Sequence, residues 1–206
     1  MAPDTVSILE PLSDAPLTTV ANTPIDPVPK RNAERFDIRS GYVPGVLGRT
    51  LDMHMRYYSK HSKFGKKFEL DLAAALENLL RRIDDPLNEV WTASQGNTIV
   101  ATIFIDGSND AEPVAPGGDR IAHLRAFIVD EGYQGKGIGK MLIDKAMEFV
   151  KEKDFIETKL WSFKGLDAAR SLYERSGFVL TEERLGTRWG EEVTEQLFIR
   201  RRVGTN

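Results

Sequence analysis

"IVDEGYQGKGIGKMLIDKAMEFV", Ile128–Val150, sets Gly132, Gly135, Gly137 and Gly139 within eight positions at the mouth of a helical pattern. Glycine costs a helix interior about 1 kcal/mol relative to alanine, so the cluster needs a reason of its own. Ile138, Met141, Leu142, Ala146, Phe149 and Val150 fall on one side of the helix, which predicts packing on a sheet and a first turn fixed in space. The first N–H groups of a helix lack internal partners and lie at the positive end of the aligned peptide dipoles. One reading is therefore a phosphate held at Gly135–Lys140, with bare main chain at Gly135, Gly137 and Gly139 and added charge from Lys136 and Lys140. The other is a plain strand-to-helix turn. Two familiar phosphate loops do not fit: Lys140 is followed by Met141 rather than Ser or Thr, and the glycine spacing is G-x-G-x-G rather than G-x-G-x-x-G.

Outward from the loop, the pattern alternates between sheet and helix. "FDIRS" reads as a first strand, and helices follow over Val43–Tyr58 (stripe Leu47, Leu51, His54, Met55, Tyr58) and Phe64–Ile83, the second stopped by Pro86. "EVWTAS" and "TIVATIFID" flank Gln95-Gly96-Asn97 as a hairpin, and "RIAHLRAFIV" leads into the glycine loop. Beyond the loop and its helix come the strand "ETKLWSF", a short helix "LDAARSLYERS" closed by Gly177, and the strands "VLTEER" and "EVTEQLFIRR". The order β-α-α-β-β-β-α-β-α-β-β predicts an α/β (α+β) domain. Residues 1–33 hold six of the ten prolines and no sustained apolar period, so they are expected to form an irregular segment before a domain over 34–206.

Composition excludes several classes. With 28 basic and 31 acidic residues and no basic block, nucleic acid is not an expected partner. No cysteine is present, so disulfides, thiolate metal sites and cysteine nucleophiles are out, and no metal site is expected. There is no basic leader and no run near the ~20 apolar residues of a membrane span, so a soluble, cytoplasmic protein without a membrane partner is expected.

Gln134, Gly137 and Gly139 match the [QR]-x-x-G-x-[GA] loop of the GNAT family of N-acetyltransferases, and "ARSLYERSGF", Ala169–Phe178, is similar to that family's second signature. The resemblance spans roughly Arg35–Arg201 and includes the element order. Within the family, "GYVPG", "AHLRAFIVD" and "WGEEVTEQLFIR" look like the acetyltransferase domain of MarR-GNAT fusion proteins. It implies a GNAT fold: a mixed, mostly antiparallel sheet of six or seven strands flanked by about four helices.

It also implies acetyl-CoA as donor, with CoA as product, bound by Phe127, Ile128, Val129, Gln134, Gly135, Lys136, Gly137, Ile138, Gly139 and Lys140. The expected activity is direct acetyl transfer, in a ternary complex, to a primary amine on a small molecule or amino-acid derivative. A protein lysine or N-terminal acetyltransferase, or a non-catalytic acyl-CoA-binding regulator, stands as the alternative. Tyr173 in the Leu-Tyr motif is the expected proton donor to the departing thiolate, since a phenol near pKa 10 suits that task. His123, which alternation puts with Arg125 opposite an apolar face of Ala122, Leu124, Ala126 and Ile128, is the leading base, ahead of Glu157, Glu182, Glu192 and Glu195. Arg125, Trp161 and Trp189, with Phe163 and Gln196, are candidates for the acceptor side. The asparagine that many GNATs carry seven residues before the tyrosine is Leu166 here, with Ser162, Lys164 or Asp167 as substitutes. A homodimer paired through the final strand is left open.

Overall fold

The computed structural model describes residues 35–108 and 120–202, so the expectation for residues 1–33 lies outside the described residues. Seven strands form one sheet: β1 (Asp37–Ser40), β2 (Glu89–Gln95), β3 (Thr98–Asp106), β4 (Ile121–Val129), β5 (Glu157–Phe163), β6 (Val179–Gly186) and β7 (Val193–Arg201). Their spatial order is β1-β2-β3-β4-β5-β7-β6, antiparallel throughout except where β4 meets β5. Four helices flank it: α1 (Val46–His61), α2 (Lys66–Arg81), α3 (Ile138–Glu152) and α4 (Asp167–Arg175). Among the described residues no helix is long and apolar enough to cross a membrane.

Both faces of the sheet are covered, which explains why "TIVATIFID" reads as an almost unbroken apolar run rather than an alternating one. Trp91, Ile103 and Ile105 turn toward α3, whereas Val90, Ile99 and Phe104 turn toward α1 and α2. Phe104 and Phe198 are fully buried, each such side chain contributing about 1.5–3 kcal/mol of transfer free energy. The inner stripes of two helices are rotated from their expected positions. In α3, Met141 is exposed while Ile143 and Met147 are buried beside Leu142 and Ala146. In α1, Leu47 is exposed and Val46, Thr50, Met53 and His54 are buried. A buried threonine inside a helix goes unseen by apolar periodicity.

Strand β4 does not keep the expected alternation either. Its pairing with β3 shifts register between Thr102 and Phe104, and opposite that shift Ala126 has φ +45°. One extra residue reverses the facing of every side chain after it. Ala122 and Leu124 pack on the α3 side, but so do Phe127 and Val129, while Ala126 and Ile128 pack on the α1/α2 side. A hydroxyl relay holds the bulge: Thr50 Oγ1 donates to Thr102 Oγ1 at 3.2 Å, and Thr102 Oγ1 donates to the Ala126 carbonyl at 3.2 Å.

The same strand parts from β5. Parallel pairing covers only Ile121–His123 against Glu157–Lys159, and beyond it the two strands diverge. On that side the main-chain groups of β4 past Leu124 have no ladder partner among the described residues, so a rift opens in mid-sheet. The final strand β7, by contrast, lies between β5 and β6, so pairing of a second copy along it is blocked by this chain's own neighbours. The free edges belong to β1 and β6.

Candidate active site

At the end of β4 the chain is pinned before it turns. Asp130 is ion-paired to Arg49 of α1 and its N–H donates to the Val100 carbonyl at 2.9 Å. Glu131 then accepts from Lys60 at 2.9 Å and contacts His61 at 3.0 Å. The glycines that follow serve different ends. Gly135 and Gly137 have φ +74° and +81°, where a side chain would be strained, and a Cβ on either would meet nothing within 4 Å. Gly139 has ordinary backbone geometry, but a Cβ there would lie 3.3 Å from Leu172 Cδ2 and 3.4 Å from Phe127 Cζ. Its bareness lets α3 approach α4 and β4. Gly132 has neither constraint.

The N-cap of α3 is Gly137, which has no side chain to bond the first turn. The first intrahelical bond is Met141 N–H to Gly137 O, so the N–H groups of Ile138, Gly139 and Lys140 lack helical partners. They open on a cleft of 540 Å³ between the end of β4, the glycine loop, α3 and α4. All the sequence-derived donor residues line it except Lys136, whose ammonium lies 5.2 Å above the Tyr133 ring. Gln134 is committed locally, its Nε2 donating to the Val129 carbonyl at 3.2 Å. Leu166 and Asp167 also line this cleft, whereas Ser162 does not and Lys164 lies 3.8 Å from Glu183.

A second, smaller cleft of 130 Å³ occupies the rift between β4 and β5, and a third of 260 Å³ continues from it under α2. Arg125, Trp161, Phe163 and Trp189 line the second, and Arg125 and Trp189 also line the third. Gln196 instead donates to Glu183 at 2.8 Å, away from the clefts. Arg188 and Arg184 sit over the Trp161 ring at 4.1 and 5.1 Å, both within 3.5 Å of buried Glu195. Glu157 pairs with Arg201 at 3.2 Å.

The first and second clefts meet at Tyr58, Phe127, Leu166 and Tyr173. Tyr173 packs edge and tilt against Phe127, Phe178 and Phe198 at 6.2, 6.2 and 5.8 Å. Burial raises its pKa above the ordinary phenol value, so it is protonated throughout the neutral range. Tyr58 is raised too, first by burial and then by the neighbouring Tyr173 and Tyr57.

Two wall residues escaped sequence reasoning: Tyr58 and His54, four apart on the inner stripe of α1, where they read as core. The available signal was two polar rings in an otherwise apolar stripe. His54 is 5% exposed and its Nδ1–H donates to the Thr50 carbonyl at 2.8 Å, leaving Nε2 as an acceptor. His123, in contrast, pairs in register with Asp106 and Lys159 and lines none of these three clefts. It stands roughly 13 Å up the strand from Phe127, at about 3.3 Å per residue.

Burial lowers the His54 pKa from 6.5 to about 4, against a smaller opposing effect of the Thr50 carbonyl. Between those values the unfolded chain binds a proton that the folded one refuses, so stability is complete above pH 6.5 and falls as pH drops toward 4. The loss attributable to this ring is about 3 kcal/mol. In urea unfolding from pH 7 down to 4, the wild type is expected to lose about 3 kcal/mol more stability than His54→Gln; equal losses would refute the assignment.

Residues 50–178 match the profile of the acetyltransferase (GNAT) family. The N-acetylaspartate synthetase of Xenopus tropicalis is 27% identical over 125 residues, 60% of this chain and 43% of that protein, so the chain spans less than half the length of this curated relative. Among solved structures, a ribosomal-protein-alanine N-acetyltransferase from Brucella melitensis superposes with a TM-score of 0.63 at 17% identity, covering 80% of this chain and 98% of that one. Arabidopsis thaliana NAA60 in complex with acetyl-CoA gives 0.60 at 17%, covering 81% and 99%. These likenesses are in fold. With more than half its length within the family profile and the expected sheet, loop and helices in place, this chain belongs to the acetyltransferase (GNAT) family.

Proposed function

We propose that the protein transfers an acetyl group from acetyl-CoA to the primary amine of a small molecule or amino-acid derivative, by direct attack in a ternary complex. The observation that carries this reading is the meeting of two clefts at Tyr173, one ending on uncapped helical N–H groups and the other walled by aromatic rings. The loop fits an anion: two positive-φ glycines with open space at the Cβ position stand before a helix start without a capping side chain. Acetyl-CoA would supply an acyl group activated as a thioester. Gly135 and the amides of Ile138, Gly139 and Lys140 would hold its diphosphate, and the side of the Phe127–Val129 main chain that faces away from β3 its pantetheine arm.

Tyr173 would give its phenolic proton to the departing sulfur, and Asp167 takes the polar place that Leu166 leaves unfilled. For the proton of the amine, His54 lines the acceptor cleft and His123 does not, but burial makes the His54 ring too weak a base at neutral pH, so the amine would reach the junction already neutral or lose its proton to water. The name of the frog relative supports an amino-acid acceptor, although this chain covers only 43% of it.

The test combines calorimetry with CoA and a thiol-release assay over small amines, lysine peptides and N-terminal peptides. Heat with CoA and turnover on small amines are expected. Turnover on peptides alone would shift the reading to a protein acetyltransferase, and binding without turnover to a regulator. No heat at all would end it.

A further inference from the structure

We infer that the acceptor is an amino carboxylate, and that Arg125 is the residue that recognises its carboxylate. The inference rests on the acetyltransferase reading above and names the acceptor's chemistry within it. Arg125 lines both clefts on the acceptor side of Tyr173, and its side chain is 39% exposed. Beneath it lies Asp106, 3% exposed as a side chain, already engaged by Arg82 Nη1 at 3.0 Å on Oδ1. Arg125 Nε approaches the other oxygen at 3.0 Å but is out of line for a hydrogen bond. Among the described residues two guanidinium groups thus face one carboxylate, which leaves a positive charge in excess at the cleft wall.

Arg188 also lines the larger acceptor cleft, but Glu195 behind it is shared with Arg184, which pairs with Glu182 at 3.1 Å as well, so that group is balanced and Arg125 carries the charge of the cleft. Among the described residues no carboxylate lines the cleft at Tyr173, and the acid that lines the larger one, Asp71, is bonded to Lys67 at 2.5 Å. A lysine side chain or polyamine would meet the like charge of Arg125 here. A carboxylate would find Arg125 in a cleft that it lines together with Phe68, Leu72 and Trp189. The same arginine would disfavour the ammonium form of the acceptor's nitrogen, leaving more of it as the neutral nucleophile. One residue therefore serves both selection and reactivity.

The experiment compares α-amino acids bearing apolar, acidic or aromatic side chains with their α-carboxamides, by thiol release from acetyl-CoA, each rate corrected for the fraction of neutral amine. Wild type is expected to prefer acid over amide by about 10- to 100-fold in kcat/KM, the worth of a charge-assisted contact. Arg125→Gln is expected to collapse that ratio toward one, chiefly through KM of the acid, and Arg125→Lys to restore part of it. Equal efficiency on acids and amides in wild type, or a preference that survives Arg125→Gln, overturns the inference and leaves acetyl transfer standing. Absence of both CoA heat and thiol release overturns the two together.

Discussion

Replacing Tyr173 by phenylalanine is expected to lower kcat about 10²- to 10³-fold, with KM for acetyl-CoA nearly unchanged. The ring is 7% exposed and packed among Phe127, Phe178 and Phe198, and the substitution removes only the hydroxyl, so stability should barely move. Burial keeps this phenol protonated at neutral pH and makes it a weaker acid than a free phenol, so it would hold a proton at the junction and release it only to a fully developed thiolate. The control is Tyr58→Phe. Tyr58 shares the junction of the clefts and is likewise raised by burial, so it is the rival donor. Stopped-assay kcat for the two variants separates them: a large loss in Tyr58→Phe with little in Tyr173→Phe would transfer the role to α1.

The second large effect is expected at Gly137. Valine there would be a β-branched residue at φ +81°, a conformation that costs it several kcal/mol unless the loop rearranges. Rearrangement would turn the first amides of α3 away from their common focus, and the Kd for acetyl-CoA is expected to rise on the order of 100-fold. Gly132→Ala provides the contrast, because Gly132 has neither positive φ nor a close neighbour, and it should leave Kd within about twofold. Titration calorimetry on both variants checks the difference. Equal affinities would mean that the loop is a turn and nothing more.

Much of this was legible beforehand, and the reasons differ by element. The order of strands and helices emerged from periodicity because nearly every element is long enough to repeat its pattern. The places of the glycine loop and of Tyr173 in the fold are legible because unusual composition stands just before a helix in one case and a motif marks the residue in the other. The bulge at Ala126 was invisible, since alternation cannot show where a strand takes in an additional residue. His54 and Tyr58 were hidden because an inner helical stripe looks the same whether it fills a core or borders a cleft. His123 drew attention as a histidine on the right strand, but strand length sets it far from the junction. The place of β7 inside the sheet depends on long-range order that hairpin patterns do not encode.

The kink at Ala126 divides one strand into two territories. Ahead of it, Arg125 lines the wall that would choose the acceptor; after it, Val129 lines the cleft that would hold the donor. Because that single inserted position resets the facing, a change in the first territory need not propagate into the second. The scaffold can thus exchange one amine for another while its hold on the activated acyl group stays as it was.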